Sequence, residues 1–512
     1  MTITFVVLGL AIIVFIWDRL PPGVVALGVA LTLYLTGVLT FEQSIAGFGD
    51  PVIVFIAGLF VVSEALNASG ITAWVGQWLV SLAGSKLRQV LVGTMLLTAA
   101  LTALISVNGS VAALIPVGVL LALRINERPS KLLMPLAFAA HAGSLLTLLG
   151  SPVNLLISEI AADAGTRPIG FFEFALVGVP LLVGTVCLVL WLGPVVLPDR
   201  VPAHSAKDFS QHAELLAGEY ELNEEAGGAD GLAEMMIPPR SEFIGDPVFP
   251  GMTTERGDLV VAAVHRAGVP QGSTKLRAGD VVVLRGPWRE LQRKADADGL
   301  VAVDHPSDVR RQQGKPGRKA VGALVVLALM VVAMATAIVP AAIAVLVSAG
   351  ILVATRVITV AEAHRSISIT TLVIVAGLIP LSTAIQTSGA ADVIADGLIA
   401  VVGGSSRYLL LLSLVLVVAI LGQFISNMAT VLIVAPIATT IAETTGVSPL
   451  PLLMGICVAG AAAFLTPVAT PANTMVLGPG AYKFGDYAKL GLPLLALFIT
   501  VATLLVPVIW PF

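Results

Sequence analysis

The sequence predicts a polytopic α-helical membrane protein made of two similar halves, with a small α/β domain inserted between them. Three observations carry this. The first is composition: 57% of the 512 residues are hydrophobic and 12% charged, with a mean hydropathy of +0.97, far from the profile of a soluble domain. The second is the placement of charge, since 16 of the 28 Lys and Arg and 19 of the 32 Asp and Glu fall within residues 199–319. The third is a set of motifs that recurs after this charged stretch in the same order and at nearly equal spacing. The chain accordingly divides into a membrane half at 1–198, an insert at 199–319 and a second membrane half at 320–512.

Apolar segments long enough to span or nearly span a bilayer occur at roughly 2–17, 22–40, 51–66, 89–105, 111–123, 132–149 and 171–197. After the insert they resume at roughly 320–338, 340–355, 367–385, 408–425, 429–442, 449–466 and 487–510. Several are too short to cross alone, which suits re-entrant hairpins and half-helices. Residues 1–17 carry no basic leading region and no small-residue cleavage site before Asp18-Arg19, the pattern of a retained first membrane segment rather than a removed signal peptide. Cys187 and Cys457 lie inside apolar runs, so they are expected to be lipid-facing or packed thiols, with no disulfide framework or metal cluster.

The repeat is read at a constant offset of 319: Ile56-Ala57-Gly58-Leu59, Ser63, Ala65, Ser69 and Gly70 recur as Val375-Ala376-Gly377-Leu378, Ser382, Ala384, Ser388 and Gly389. Ser106-Val107-Asn108-Gly109-Ser110 precedes Pro116 as Ser426-Asn427 precedes Pro436, each serine ten residues before its proline. Gly150-Ser151-Pro152-Val153-Asn154 matches Ala469-Thr470-Pro471-Ala472-Asn473. Such paired interruptions in the two halves of a membrane protein point to a transporter binding site. Between Tyr408 and Ala481 the one charged side chain is Glu443, so the second pair of breaks lies at membrane depth, where irregular backbone is tolerated only inside protein or beside a watery cavity. Ser426, Asn427, Thr470 and Asn473 supply neutral oxygens of the kind that hold Na⁺, and helix N-termini beside them suit an anion. The competing use of these residues is to satisfy backbone groups at a kink. Thr430 and Ser110 are weaker candidates, because a hydroxyl in a helix commonly bonds its own backbone.

The insert reads as a polar, acidic stretch over 199–230 followed by structure. Short β-rich runs at 235–237, 259–264 and 281–284 are separated by turns at Pro238-Pro239, Gly268-Val269-Pro270 and Ala278-Gly279-Asp280, and a short helix is expected over Trp288–Ala295. Arg310, Arg311, Lys315, Arg318 and Lys319 precede the next membrane segment, a basic flank that favours the cytoplasm.

At the Ser-Asn-Met-Ala-Thr break over 426–430 and the Pro-x-Asn loops at 152–154 and 471–473, the chain resembles the divalent anion/sodium symporter family of the ion transporter superfamily. The resemblance covers nearly all of both membrane halves. It implies two inverted repeats, each with a re-entrant hairpin and a broken helix, and an elevator mechanism in a homodimer. It also implies Na⁺-coupled symport of a small divalent anion, sulfate or a dicarboxylate. Carried onto this sequence, it places the substrate at Ser106, Asn108, Gly109, Ser110, Ser151, Asn154, Ser426, Asn427, Thr430, Thr470, Pro471 and Asn473. Na⁺, the coupling ion, falls to Ser106, Asn108, Gly150, Asn154, Ser426, Asn427, Ala469 and Asn473. In the first half Ser106-Val107-Asn108 stands where the family has Ser-Asn-Thr.

Over about 234–304 the insert resembles the RCK-C or TrkA-C ligand-binding module of potassium-transport regulators, on Ser241-Glu242-Phe243-Ile244-Gly245, the strand at 259–264 and Leu276–Val282. That implies a small-molecule or nucleotide regulator at a cytoplasmic domain, and sulfate permeases carrying such inserts make sulfate a leading substrate. The expected setting is the plasma (cell inner) membrane, multi-pass, with 199–319 cytoplasmic and no nucleic-acid partner.

Glu64 and His141 are the ionisable groups isolated in apolar runs. Such groups are functional hypotheses by default, so a proton-coupled carrier or ion/proton antiporter of the same superfamily stays open beside Na⁺ symport, as does a regulated anion channel. No nucleophile–base pair, phosphate-cradling loop or metal cluster is present in the sequence pattern, and an enzyme is not expected.

Overall fold

Proline and short capping side chains decide where the membrane helices begin. The computed structural model describes residues 1–17, 19–82, 86–200, 230–239, 241–254, 259–266, 269–271, 273–295, 300–302, 318–402 and 406–512. One unit comprises 1–203 with 318–512 and the other 204–317. The first half contains α1 (Thr2–Trp17), α2 (Pro22–Leu35), α3 (Phe41–Ile45), α4 (Pro51–Ala68), α5 (Ile71–Leu82), α6 (Leu87–Thr102), α7 (Val107–Arg124), α8 (Leu133–Gly143), α9 (Pro152–Asp163) and α10 (Ala175–Val196). After the insert, which holds α11 (Trp288–Ala295), the second half repeats the series as α12 (Arg318–Ala335), α13 (Ala341–Ala354), α14 (Val360–Ser366), α15 (Ile369–Thr387), α16 (Ala390–Val402), α17 (Arg407–Leu421), α18 (Asn427–Thr445), α19 (Pro449–Gly460), α20 (Pro471–Leu477) and α21 (Phe484–Thr500). A π turn at Val501–Leu505 carries α21 into α22 (Val506–Ile509).

Pro51, Pro152, Pro449 and Pro471 occupy first-turn positions, where their missing N–H costs nothing. Thr40 with Gln43, and Thr359 with Glu362, form capping boxes at the offset of 319. Pro116 and Pro436 sit inside α7 and α18. Six helical stretches among the described residues are long and apolar enough to cross a membrane, and seven shorter apolar helices accompany them. The helices α5, α9, α16 and α20 were not expected as apolar segments. Polar residues such as Gln77, Asn154, Ser158, Asp392, Asp396 and Asn473 interrupt them, and the window that finds a span averages the signal away.

The contacts between halves are reciprocal. α2 packs on α15 while α13, its repeat equivalent, packs on α4. A Cβ on Gly58 would stand 2.8 Å from Val345 Cγ1, and one on Gly377, 319 residues later, 2.8 Å from the carbonyl carbon of Ala26. Small residues at these two crossings let the helices approach closely.

In the insert, a five-stranded sheet of order β4-β3-β6-β1-β7 is built from β1 (Asp230–Met236), β3 (Val260–Arg266), β4 (Val269–Gln271), β6 (Val281–Pro287) and β7 (Val301–Ala302). β2 (Pro247–Val248) and β5 (Thr274–Lys275) pair separately. The expected turn at Gly268-Val269-Pro270 is instead partly strand, since Val269–Gln271 pairs antiparallel with β3; a proline is tolerated there because β4 is an edge. The acidic stretch expected at 199–230 and the basic residues Arg310, Arg311 and Lys315 lie almost wholly or wholly outside the described residues. Met235, Ile237, Val264, Leu284 and Leu291 close a small core, and Trp288 covers Gly231 so tightly that a Cβ there would overlap its ring.

Asp280 anchors the turn before β6. Arg266 donates to it twice, at 2.8 and 2.7 Å, and the Arg277 backbone N–H donates at 2.8 Å. The Arg266 guanidinium is the main cause that holds the Asp280 carboxyl below its ordinary value. The stabilisation is therefore present above the unfolded carboxylate pKa of about 4 and lost as pH falls through the lower folded value. Asp280→Asn should cost the insert about 2 kcal/mol at neutral pH and flatten the acid limb of its unfolding, read by thermal melts of the full chain between pH 3 and 7.

Candidate functional site

Four helix N-termini, two from each half, meet at one cavity. Ser106 caps α7, its Oγ accepting from the Gly109 N–H at 3.2 Å, and Ser426 caps α18 by accepting from Ala429 at 3.3 Å. Ser151 caps α9 through the Val153 N–H at 3.2 Å, and Thr470 caps α20 through the Asn473 N–H at 3.4 Å. The break between α8 and α9, and that between α19 and α20, are each held open by an asparagine. Asn154 Nδ2 donates to the carbonyls of Ser144 (2.7 Å) and Thr147 (2.8 Å). Asn473 Nδ2 donates to those of Ala463 (2.8 Å) and Thr466 (3.1 Å), ten and seven residues upstream in both cases. Thr147 Oγ1 donates to Ala103 O at 2.5 Å and Thr466 Oγ1 to Gln423 O at 3.1 Å, so each loop is tied to the preceding break of its own half.

Each asparagine also reaches across to the other half. Cys457 Sγ donates to Asn154 Oδ1 at 3.3 Å, and His141 Nε2 lies 3.3 Å from both Asn473 Oδ1 and Thr470 Oγ1. Because Asn473 Nδ2 is committed to two carbonyls, its Oδ1 is an acceptor, and His141 carries its proton on Nε2. Phe464 stands edge-on to the His141 ring with centroids 5.6 Å apart. Tyr487 donates from its hydroxyl to Asn473 O at 2.7 Å.

The cavity, of about 190 Å³, is lined by Ser106, Asn108, Gly150, Ser151, Asn154, Ser426, Asn427, Ala469, Thr470 and Pro471 among the expected residues. Gly109, Ser110, Thr430 and Asn473 stand behind it. Gly109 packs against Ile105 and Ser63, with no room for a Cβ without displacement. Ser110, Thr430 and Asn473 are fully buried. Gly150 lies against the Ser144 carbonyl, which a Cβ would overlap, whereas Ala469 at the equivalent position tolerates one. His141 is in the lining; Glu64 is not.

Cys457, expected as a lipid-facing or packed thiol, faces the cavity, and no sequence signal marks it, since Phe138 stands at its repeat position. Thr147, Thr466 and Gln423 were missed as well. The first two recur at the offset of 319 and were discoverable. Gln423 binds the loop before α20 through Ala462 O (3.0 Å) and the Leu465 N–H (2.9 Å).

Among the described residues no Lys, Arg, Asp or Glu lines the cavity, and no group of three His, Cys, Asp or Glu able to hold a metal ion occurs. What the breaks offer instead is oxygen without a partner. Asn427 Oδ1 and Thr430 Oγ1 are buried and unpaired among the described residues. For Thr430 this departs from the expected bond to its own backbone, and one turn of α18 carries both atoms.

The citrate transporter family matches residues 12–403 and 381–512. The chain belongs to that family. It is 30% identical to the uncharacterized transporter YfbS of Escherichia coli K12, over 99% of this chain and 98% of the relative. It is 21% identical to the sodium-dependent dicarboxylate transporter SdcS of Staphylococcus saprophyticus, over 96% and 83%. The probable sodium/sulfate cotransporter 3 of Chlamydomonas reinhardtii is 24% identical over 48% of this chain and 28% of its own length. This member of the citrate transporter family is a multi-pass membrane transporter and not an enzyme.

Proposed function

We propose that the chain is a secondary carrier that moves a small divalent anion, sulfate or a dicarboxylate, together with Na⁺. One observation carries the reading: breaks from both halves converge on one cavity that offers neutral oxygens and helix N-termini and, among the described residues, no fixed charge. The N-termini of α7, α9 and α18 favour an anion, and the unpaired oxygens of Asn427 and Thr430 suit a hard cation that must bind and leave readily. The sodium-dependent dicarboxylate and sodium/sulfate relatives support the same substrate class.

In this reading the halves are inverted repeats. The reciprocal pairs Gly58 with Val345 and Gly377 with Ala26 support it, being the pattern a two-fold axis produces. Alternating access is then an elevator movement of the broken helices against a scaffold in a homodimer. The insert is read as a cytoplasmic sensor: a cavity of about 860 Å³ lies against its sheet, with Phe243, Met252, Arg293 and Lys294 in its wall. A ligand there regulates transport by binding one conformation more tightly than another.

A specific observation favours one second reading, proton coupling, because His141 lines the cavity and touches Thr470 and Asn473. Proteoliposome uptake of labelled sulfate, succinate and citrate separates the two. Saturable uptake that collapses when Na⁺ is replaced by choline is expected; uptake indifferent to Na⁺ and driven by a pH gradient would transfer the coupling to His141.

A further inference from the structure

The two halves hold their breaks against their loops in different ways, and the difference falls on one side chain. Counted from the capping serines, Ala103 and Gln423 are equivalent, each three residues before Ser106 or Ser426, and so are Ala99 and Ala419, seven residues before. Across the loops Gly143 corresponds to Ala462 and Leu146 to Leu465, at the offset of 319. In the first half α6 and the end of α8 touch directly, since a Cβ on Gly143 would stand 2.5 Å from Ala99 Cα. The loop there closes on itself, the Leu146 N–H donating to Gly143 O at 3.1 Å. In the second half Ala462 carries the methyl group that such a crossing excludes, and the Gln423 amide stands between the two backbones instead. Its Nε2 donates to Ala419 O and to Ala462 O, each at 3.0 Å, and its Oε1 accepts from the Leu465 N–H at 2.9 Å.

Gln423 is 3% exposed, so these bonds are made away from water, where leaving a donor or acceptor unmet is costly. The two segments that it joins form one side of the cavity, Ser426 and Asn427 from the break, Ala469 and Thr470 from the loop. We infer that Gln423 is a positioning and specificity-determining residue: the length of its side chain sets the spacing between the second break and the α19–α20 loop, and with it the width of the cavity on that side. The assignment rests on the anion-carrier reading above and adds to it what selects the size of the anion. In the first half the same spacing is set by backbone contact at Ala99 and Gly143, which no side chain can adjust.

The test compares the native full chain with Gln423→Asn, which keeps the amide on a stem one methylene shorter, and Gln423→Met, which keeps the length and removes the hydrogen bonds. Proteoliposome uptake of labelled sulfate and of labelled succinate gives a half-saturating concentration for each. Gln423→Asn is expected to draw the break toward the loop and raise the succinate value relative to the sulfate value by about tenfold. A selectivity ratio unchanged in Gln423→Asn, whatever its melting temperature, would reduce Gln423 to a packing residue and overturn the assignment. Hydrogen exchange without substrate provides the second readout: Gln423→Met should speed exchange over both 424–430 and 463–470 and leave 103–110 and 144–151 as they are. Native exchange at 424–430 in Gln423→Met would also overturn the assignment. Uptake of neither anion by the native chain would remove the anion-carrier reading instead, and the exchange measurement would still decide whether Gln423 joins the two segments.

Discussion

Asn473→Ala should destabilise the purified protein by about 2–4 kcal/mol, because it leaves two buried carbonyls, Ala463 O and Thr466 O, without their donor. It also removes one of the two oxygens that face His141 Nε2, leaving Thr470 Oγ1. Asn154→Ala should behave alike, freeing Ser144 O and Thr147 O and leaving the Cys457 thiol unpaired. The measurement is thermal unfolding followed by intrinsic fluorescence, without added Na⁺ and again at saturating Na⁺. If these asparagines are braces, the loss is the same in both conditions. A loss that appears only with Na⁺ would return both residues to the role of ion ligands.

The second large effect belongs to Asn427. Its Oδ1 has no partner among the described residues, so Asn427→Ala removes no internal bond and should leave unfolding in Na⁺-free buffer unchanged. Half-maximal Na⁺ for uptake should rise tenfold to a hundredfold, about 1–3 kcal/mol. Uptake titrations in Na⁺ at fixed substrate read this directly, and an unaltered titration would mean that the break at 426–430 is only a kink. From sequence, Asn427 and Asn473 were equivalent candidates. The fold separates them, one with its oxygen unpaired and the other with its amide spent on its own loop.

The recurrence of motifs was legible because it is written in backbone-determining residues. Gly58 and Gly377, Pro152 and Pro471, and Ser106 and Ser426 are each required by a helix start, a break or a close crossing, so they persist at fixed spacing while lipid-facing positions vary freely. The repeat reaches further than the glycine and serine motifs indicated. Capping boxes at Thr40 and Thr359, and the pairing of α2 with α15 and of α13 with α4, extend it back to the first helices of each half. The short helices α5 and α16 escaped notice because their polar faces dilute hydropathy. In the insert, the apolar, β-rich runs over 259–264 and 281–284 were sufficient to place β3 and β6, whereas β4 depends on an edge position that local sequence does not encode.

By itself the sequence determined that the chain is a membrane protein, that its polar motifs recur at a constant offset on either side of a charged stretch, and where the breaks that carry them lie. Composition, spacing and helix-stopping chemistry act locally, so they survive being read one residue at a time. Only the tertiary structure decided which of those polar atoms are spent and which are left over. Asn154 and Asn473 close hydrogen bonds to carbonyls seven and ten residues away, His141 and Cys457 reach them from the opposite half, and Thr102 satisfies Ser110 while Thr430 has no partner among the described residues. Those outcomes depend on where distant segments are brought together, and a hydroxyl or amide has the same letter in the sequence whether its bonds are filled or not.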